Sequence, residues 1–518
     1  MAAAFMRFRG LFWGEYQYLH PDERFMVWVG TDISPVNSLS EYWDSSTSSL
    51  NPHNRGHGFY VYGTLPLYMA RYAVEWVYGH SGFNEMTNAG RFLSAFADLL
   101  TVLFVYLIGA RVYDKRVGLL AAGFSAFAVL QIQQSHFFTV DTFTTLFSMI
   151  AVYFAVSIAN NRDAPKRGDQ DSNLESVHSF DDGVNIAGNE PRSYFQYLVQ
   201  FIKSPDFLLA IGFGVALGLA ASSKVSAAPL AILLPGAFLI RLSYLKKSEQ
   251  YHFVWAVLGY LIVAGGISLL VFRIFQPIAF SGPGFFGLNP NQAWVANIRE
   301  LQTQAGGDVD FPPALQWARR PVWFAWENMV RWGMGLPLGI LAWTGFLWAG
   351  WRMIRGEFRK HILLWGWTAL IFVWQSSIFN PSMRYQLLIY PILAIFAAWA
   401  VFRLYDLGRR KREERKEADL EAAFLTEESE NTVQNKKINW LSPAAVVIGT
   451  GVLIATAIYA YSFSNIYVRP ITRVEASSWI YQNIPGPISL PIQTGEGEFV
   501  QQISYPYNYQ ISPDLPFV

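Results

Sequence analysis

The amino-acid sequence predicts an all-α polytopic membrane protein, and three observations carry that prediction. Of its 518 residues 52% are hydrophobic, 16% aromatic and only 15% charged, against roughly 25% charged in an average soluble domain. Apolar stretches of near-spanning length follow one another from Arg91 onward. Lys and Arg gather in alternate connections between those stretches. The balance of 39 Lys and Arg against 38 Asp and Glu leaves a net charge of +1, which lacks the basic excess of a nucleic-acid binder. With no cysteine in the chain, disulfide frameworks, thiolate metal sites and cysteine nucleophiles are excluded.

Residues 1–90 precede the run of spans. Met1 to Trp13 is too short and, with Arg7 and Arg9, too basic to cross a bilayer, which takes about 20 apolar residues; nothing in it marks an anchor. His20-Pro21-Asp22-Glu23-Arg24 places an imidazole and two adjacent carboxylates in a Pro-marked, non-helical setting. Residues 31–58 are rich in Ser, Asn, Pro and Gly and read as loop. Tyr60 to Tyr78 is apolar and aromatic but carries Pro66, Arg71 and Glu75, the pattern of an interfacial helix.

Ten spans are expected, at about 92–110, 117–134, 139–159, 207–222, 226–243, 253–275, 334–351, 362–378, 385–403 and 441–463. They divide the chain into a first bundle part at 91–275 with a flexible loop at 160–206, a long loop at 276–333, and a second bundle part at 334–463. The second part carries a charged loop at 404–440, and a tail follows at 464–518. The basic connections 111–116, 241–247, 352–360 and 403–415 lie on the cytoplasmic side by the distribution of Lys and Arg. Residues 1–90, 135–138, 223–225, 276–333, 379–384 and 464–518 then share the opposite, outer face.

That count gathers the unusual polar residues on one face: Asp22 and Glu23, His136 and Asp141, Lys224 and Arg384. Ionisable groups at membrane depth are costly and point to function. A carboxylate suits a general base acting on a hydroxyl, and Lys and Arg suit a phosphate. Arg91, opening a span on the outer side, is a further phosphate ligand, and His53, Arg55 and His57 lie in a Gly-rich loop that can touch a sugar. Each has a plainer reading. Asp22 and Glu23 can be a solvated turn pair, His136 and Asp141 caps of neighbouring elements, Lys224 the tip of a turn, and Arg384 a snorkelling cation. A divalent cation, if bound, would find donors in His20, Asp22, His136 and Asp141. The loop at 276–333, with Trp294, Trp317, Trp323 and Trp326, reads as an aromatic cover in which Asp308 and Asp310 have no assigned role. The run Arg409 to Lys416 reads as a solvated helix.

Several motifs in order carry a resemblance. HPDER at 20–24 is followed by GRFLSAFADLLTVLFVYLIGARVYDKRVGLLAA at 90–122 and QIQQSHFFTVDTFTTLF at 131–147. ASSKVSAAPLA at 221–231, NPSMRYQLLIYPILAIFAAWA at 380–400 and TRVEASSWIYQNIP at 472–485 continue the series. Over residues 15–485 the chain resembles the GT-C fold membrane glycosyltransferases of family 39, the protein O-mannosyltransferase-like enzymes. The resemblance implies about ten to eleven transmembrane helices and transfer of a hexose, mannose among them, from a polyprenyl-phosphate carrier to an acceptor hydroxyl on the extracytoplasmic face. The acceptor class, protein, lipid or glycan, stays open. It further implies Asp22 as base with Glu23 as its partner and inversion at the anomeric carbon. Arg384, Lys224 and Arg91 would hold the lipid phosphate, and His20, His136 and Asp141 would support the sugar site.

The chain departs from that family pattern at both ends. The transmembrane helix expected before the acidic loop is reduced to Met1–Trp13, and the tail ends without a recognisable outer domain, so truncation at either end is the expectation. A transporter or flippase of lipid-linked sugars is the rival reading, and a non-catalytic scaffold a third. Transporters tend towards internal repeats with broken helices near the midplane, and no such self-similarity is visible.

Overall fold

The computed structural model of the protein describes residues 1–161, 199, 201–307, 316–425, 440–484, 488–494 and 497–503. Most of the expected flexible loop at 160–206, and Asp308 and Asp310, lie outside the described residues. All ten expected spans are helical. Ahead of them come α1 (Ala2–Phe8), α2 (Pro21–Asp32), α3 (Leu39–Trp43) and α4 (Thr64–Tyr78). The first bundle part is α5 (Phe83–Val112), α6 (Lys115–Phe127), α7 (Val129–Ser135), α8 (Asp141–Ala159), α9 (Pro205–Ser223), α10 (Leu233–Leu242) and α11 (Lys247–Phe275). The loop that follows holds a short hairpin, β1 (Phe280–Ser281) and β2 (Asn289–Pro290), then α12 (Gln292–Gly306) and α13 (Phe324–Asn328). The second bundle part is α14 (Leu336–Arg352), α15 (Phe358–Ser377), α16 (Tyr390–Leu425) and α17 (Leu441–Ser464). After it come α18 (Thr472–Asn483) and an antiparallel hairpin, β3 (Ile488–Thr494) with β4 (Gly497–Ile503).

Among the described residues seven helical segments are long and apolar enough to cross a membrane, or eight if α6 and α7, bent by 59°, form one span. The protein is integral to the membrane and multi-pass. The expected count of ten to eleven is therefore reduced by length and composition. Helix α14 has 17 residues, at the lower limit of the roughly 17–25 a span takes, and α15 carries Arg359, Lys360 and His361 in its first turn. Helix α5, at 30 residues, is about 45 Å long, longer than the ~30 Å hydrocarbon layer, so one end stands clear of it. The charged loop expected at 404–440 begins as a helix, because α16 runs without a break from Tyr390 to Leu425.

Two apolar cores organise the packing. The larger joins α5, α6, α8, α9, α10, α14, α15 and α16. The smaller joins α2, α4 and the first half of α5 through Met26, Val29, Leu67, Val74 and Met86, and reaches Phe138 and Ile278. Helix α1 is anchored after all. The break between α6 and α7 frees the carbonyls of Ser125 and Ala126, which accept from the Arg7 guanidinium at 3.1 and 2.5 Å. Carbonyls at a helix C-terminus have no intrahelical partner, and their partial negative charge favours a cation. Asp98 on α5, wholly buried, takes Arg7 Nε at 2.8 Å.

Candidate functional site

The HPDER motif opens a helix; it is not the non-helical segment that Pro21 implied. Proline fits the first helical position, whose N–H has no partner to lose. His20 is the N-cap, its Nδ1 accepting the Glu23 N–H at 3.2 Å. The first turn of α2 then separates the two carboxylates. Successive helical residues point about 100° apart, so Asp22 faces an open patch and Glu23 the protein interior.

Glu23 is fully buried and holds Arg91 in a two-point ion pair, Nε to Oε1 and Nη2 to Oε2, each at 2.7 Å. Its Oε1 also accepts the Phe138 N–H at 2.8 Å. Arg91 Nη1 donates to the carbonyls of Leu11 and Trp13, and its guanidinium lies 4.8 Å from the Trp13 ring centroid. The pair is an anchor between α2, α5 and the N-terminal segment. His136 is likewise enclosed: Nδ1 lies 2.8 Å from the Ile132 carbonyl, Nε2 3.0 Å from the Arg9 carbonyl, and the ring stacks on Tyr467 at 3.8 Å. Burial pushes its pKa down to about 4, against the two carbonyls, which pull it up.

The other expected residues converge. Arg384 pairs with Asp22 through Nη1 and lies 3.8 Å from Asp141 Oδ2 through Nε. Lys224 Nζ donates to Asp141 Oδ1 at 2.8 Å. Two acids and two bases thus alternate in one neutral chain, Asp22–Arg384–Asp141–Lys224. Asp22, Arg384 and Lys224 keep 24–29% of their side chains open, and Asp141 9%. Every member sits at an element end: Asp22 in the first turn of α2, Asp141 first in α8, Lys224 the C-cap of α9, and Arg384 in the 3-10 turn ahead of α16. His20 is beside them, facing the charges of Asp22, Arg384, Glu23 and Asp141.

Two tyrosines that sequence reading did not single out complete the patch. Tyr62 faces the charges of Asp22, Arg384 and Asp141, and burial first, with Asp22 adding to it, pushes its pKa up. The Tyr385 ring lies 4.9 Å from Lys224 Nζ and 5.5 Å from the Arg384 guanidinium carbon. Gly63 explains the place of Tyr62: its N–H donates to the Ser223 carbonyl at 3.1 Å, and a Cβ there would fall 2.0 Å from the Ser222 oxygen. Tyr385 had a signal, being next to Arg384; Tyr62 had none. His53 and His57 are committed elsewhere, His53 to Asn297 at 2.9 Å and His57 to Asp32 at 2.8 Å, while Arg55 reaches the Ser49 carbonyl at 3.4 Å.

His20, Asp22, His136 and Asp141 do not form a cation cradle. The nitrogens of His136 meet backbone carbonyls, the two carboxylates already face Arg384, and no group of three or more His, Asp or Glu among the described residues is placed to hold a metal.

With this geometry in view, the chain can be set against known proteins. Residues 72–167 match the family model described as dolichyl-phosphate-mannose-protein mannosyltransferase. The resemblance to GT-C membrane glycosyltransferases of this kind is borne out over that segment, which holds Arg91, His136 and Asp141. No curated protein matches the chain. Similar solved structures include the oligosaccharyltransferase AglB of Archaeoglobus fulgidus in complex with an inhibitory peptide and a dolichol-phosphate. It is 15% identical, over 93% of this chain and 57% of that one, with a TM-score of 0.47. The apo form of the Archaeoglobus fulgidus oligosaccharyltransferase is 17% identical over 91% and 59%, with a TM-score of 0.45. ArnT from Cupriavidus metallidurans bound to undecaprenyl phosphate is 16% identical over 90% and 80%, with a TM-score of 0.39. The chain thus spans less than two thirds of the oligosaccharyltransferase.

Proposed function

We propose that the protein is a membrane glycosyltransferase moving a hexose, with mannose the first candidate, from a polyprenyl-phosphate carrier to a hydroxyl of a protein acceptor on the extracytoplasmic face. One observation carries the reading: Asp22, Arg384, Asp141 and Lys224, from four distant segments, form one half-open chain of alternating charge. The matching family's printed description supports the donor and acceptor class, and the loop charges support the face.

Asp22 is the base. As the acceptor oxygen bonds to the anomeric carbon its proton passes to Asp22, and the bond from that carbon to the phosphate oxygen breaks on the opposite side, inverting the centre. The donor phosphodiester carries one negative charge, and the leaving lipid phosphate, a monoester, gains a second near neutral pH. Asp22 loses one charge at the same time, so the charge of the site is unchanged over the step. Arg384 can then turn from the neutralised Asp22 to the phosphate, and Lys224 meets the same charge from the other side. Asp141 positions both cations. Glu23 and Arg91 position α2 and touch neither substrate.

The rival transporter reading calls for internal repeats around a midplane site, and the sequence shows no such self-similarity. Purified protein supplied with polyprenyl-phosphate mannose and hydroxyl-bearing peptides tests the proposal. Wild type forms glycopeptide, and Asp22→Asn lowers the rate about 100- to 10,000-fold, the contribution of a positioned general base. Transfer that survives this substitution unchanged would falsify the assignment of Asp22.

A further inference from the structure

A groove of about 460 Å³ runs along α2, lined by Pro21, Arg24, Phe25, Trp28 and Phe83. Its size falls within the roughly 300–1,000 Å³ of ordinary ligand sites. Pro21, Arg24, Phe25 and Trp28 recur at the spacing of one helical face, next to the face that carries Asp22. Pro21, at its edge, directly precedes Asp22 in the chain. Phe25 ties the two together, its ring 6.0 Å from that of Tyr62, which faces the charge of Asp22.

The groove is held in shape. Trp28 stands 54% exposed, yet its ring meets His57 edge-on at 5.2 Å, and His57 is itself buried and fixed by Asp32 at 2.8 Å. A wall positioned in advance loses little freedom on binding. Arg24 is exposed, and among the described residues its side chain has no hydrogen bond or ion pair, in contrast with Arg7, Arg71, Arg91 and Arg384.

Resting on the transferase reading, we infer that this groove selects the acceptor: it takes an extended peptide with an apolar or aromatic side chain against Trp28 and Phe83, and an acidic residue on Arg24, a few residues along the chain from the hydroxyl residue that reaches Asp22. Charge complementarity supplies the acid, and the rings supply the apolar contact. A glycan fits less well. Arg24 is the one charged side chain of the lining, too few polar groups for the hydroxyls at every edge of a sugar ring, and burying those unpaired is costly.

The test measures binding apart from chemistry, with the protein in neutral detergent and fluorescent Ser-containing peptides that carry Phe and, a few residues from Ser, either Glu or Lys. By fluorescence anisotropy wild type binds the Glu peptide about tenfold more tightly than the Lys peptide, the scale of gaining one charge contact and avoiding one repulsion. Arg24→Glu reverses the order, and Trp28→Ala weakens both peptides while keeping their ratio. Binding is read without donor and without transfer, so a failed transfer assay and a failed groove are told apart. The inference is overturned if Arg24→Glu leaves the Glu to Lys ratio unchanged while the variant melts like wild type. It is also overturned if neither peptide binds wild type and Arg24→Glu alters instead the binding of vesicles containing anionic lipid.

Discussion

Asp22 and Glu23 are neighbours in sequence with different surroundings, and the helix between them is the reason. One turn of α2 sends Asp22 to Arg384 and Glu23 to Arg91. His20 makes that turn possible, since its Nδ1 must be unprotonated to accept the Glu23 N–H. Burial chiefly, with Arg384 adding and the nearby acids opposing, lowers its pKa below the ordinary 6.5. The folded chain therefore binds this proton less readily than the unfolded chain. Stability from this group is level above pH 6.5 and falls as pH drops through the window between the unfolded and folded values. The melting temperature in detergent should decline in that window, and His20→Asn, which keeps a capping acceptor, should flatten the decline. Equal slopes in the two proteins would acquit His20.

At the scale of elements, the structure divides the charged residues into anchors and an open patch. Glu23–Arg91 fixes α2 on α5, and Arg7–Asp98 fixes α1 where the break after α6 leaves carbonyls unpaired. Removing one partner of a buried pair leaves a bare charge at a cost of about 3–5 kcal/mol. Glu23→Gln should destabilise the protein on that scale, seen as a large drop in melting temperature. Asp22→Asn, at a partly open pair, should change stability by less than about 1 kcal/mol while abolishing most transfer. If Asp22→Asn melts as low as Glu23→Gln, the division between anchor and site is wrong. The sequence showed the helices at 92–110 or 441–463 because apolar runs of that length have few other uses in water. It did not show α2 as a helix, because Pro21 marks a helix start and a turn alike, and only the His20 cap decides between them.

For the whole molecule, the proposed orientation puts the Asp22 patch on one side of the membrane and the far end of α16 on the other. The absence of cysteine makes that directly measurable. In intact cells a membrane-impermeant maleimide should label Arg24→Cys and leave Arg410→Cys unlabelled until the membrane is permeabilised. Labelling of both in intact cells, or of Arg410→Cys alone, would reverse or refute the orientation. The long-range assembly also explains which site residues sequence reading reached. Asp22, Asp141, Lys224 and Arg384 were legible because a charge at the end of an apolar run stands out. Tyr62 was not, since a tyrosine in an aromatic stretch looks like any other until Gly63 brings it against the end of α9.

Composition and apolar periodicity by themselves determined that this chain is a helical membrane protein, and the placing of Lys and Arg predicted which loops share a face. Those properties are sums over many residues, so single errors cancel. Tertiary structure alone decided which charge meets which. Arg91 and His136 stood in sequence beside the same expected site as Arg384, and packing turned them inward to Glu23 and to backbone carbonyls. An ion pair depends on a few ångströms between segments hundreds of residues apart, and no local pattern encodes that distance.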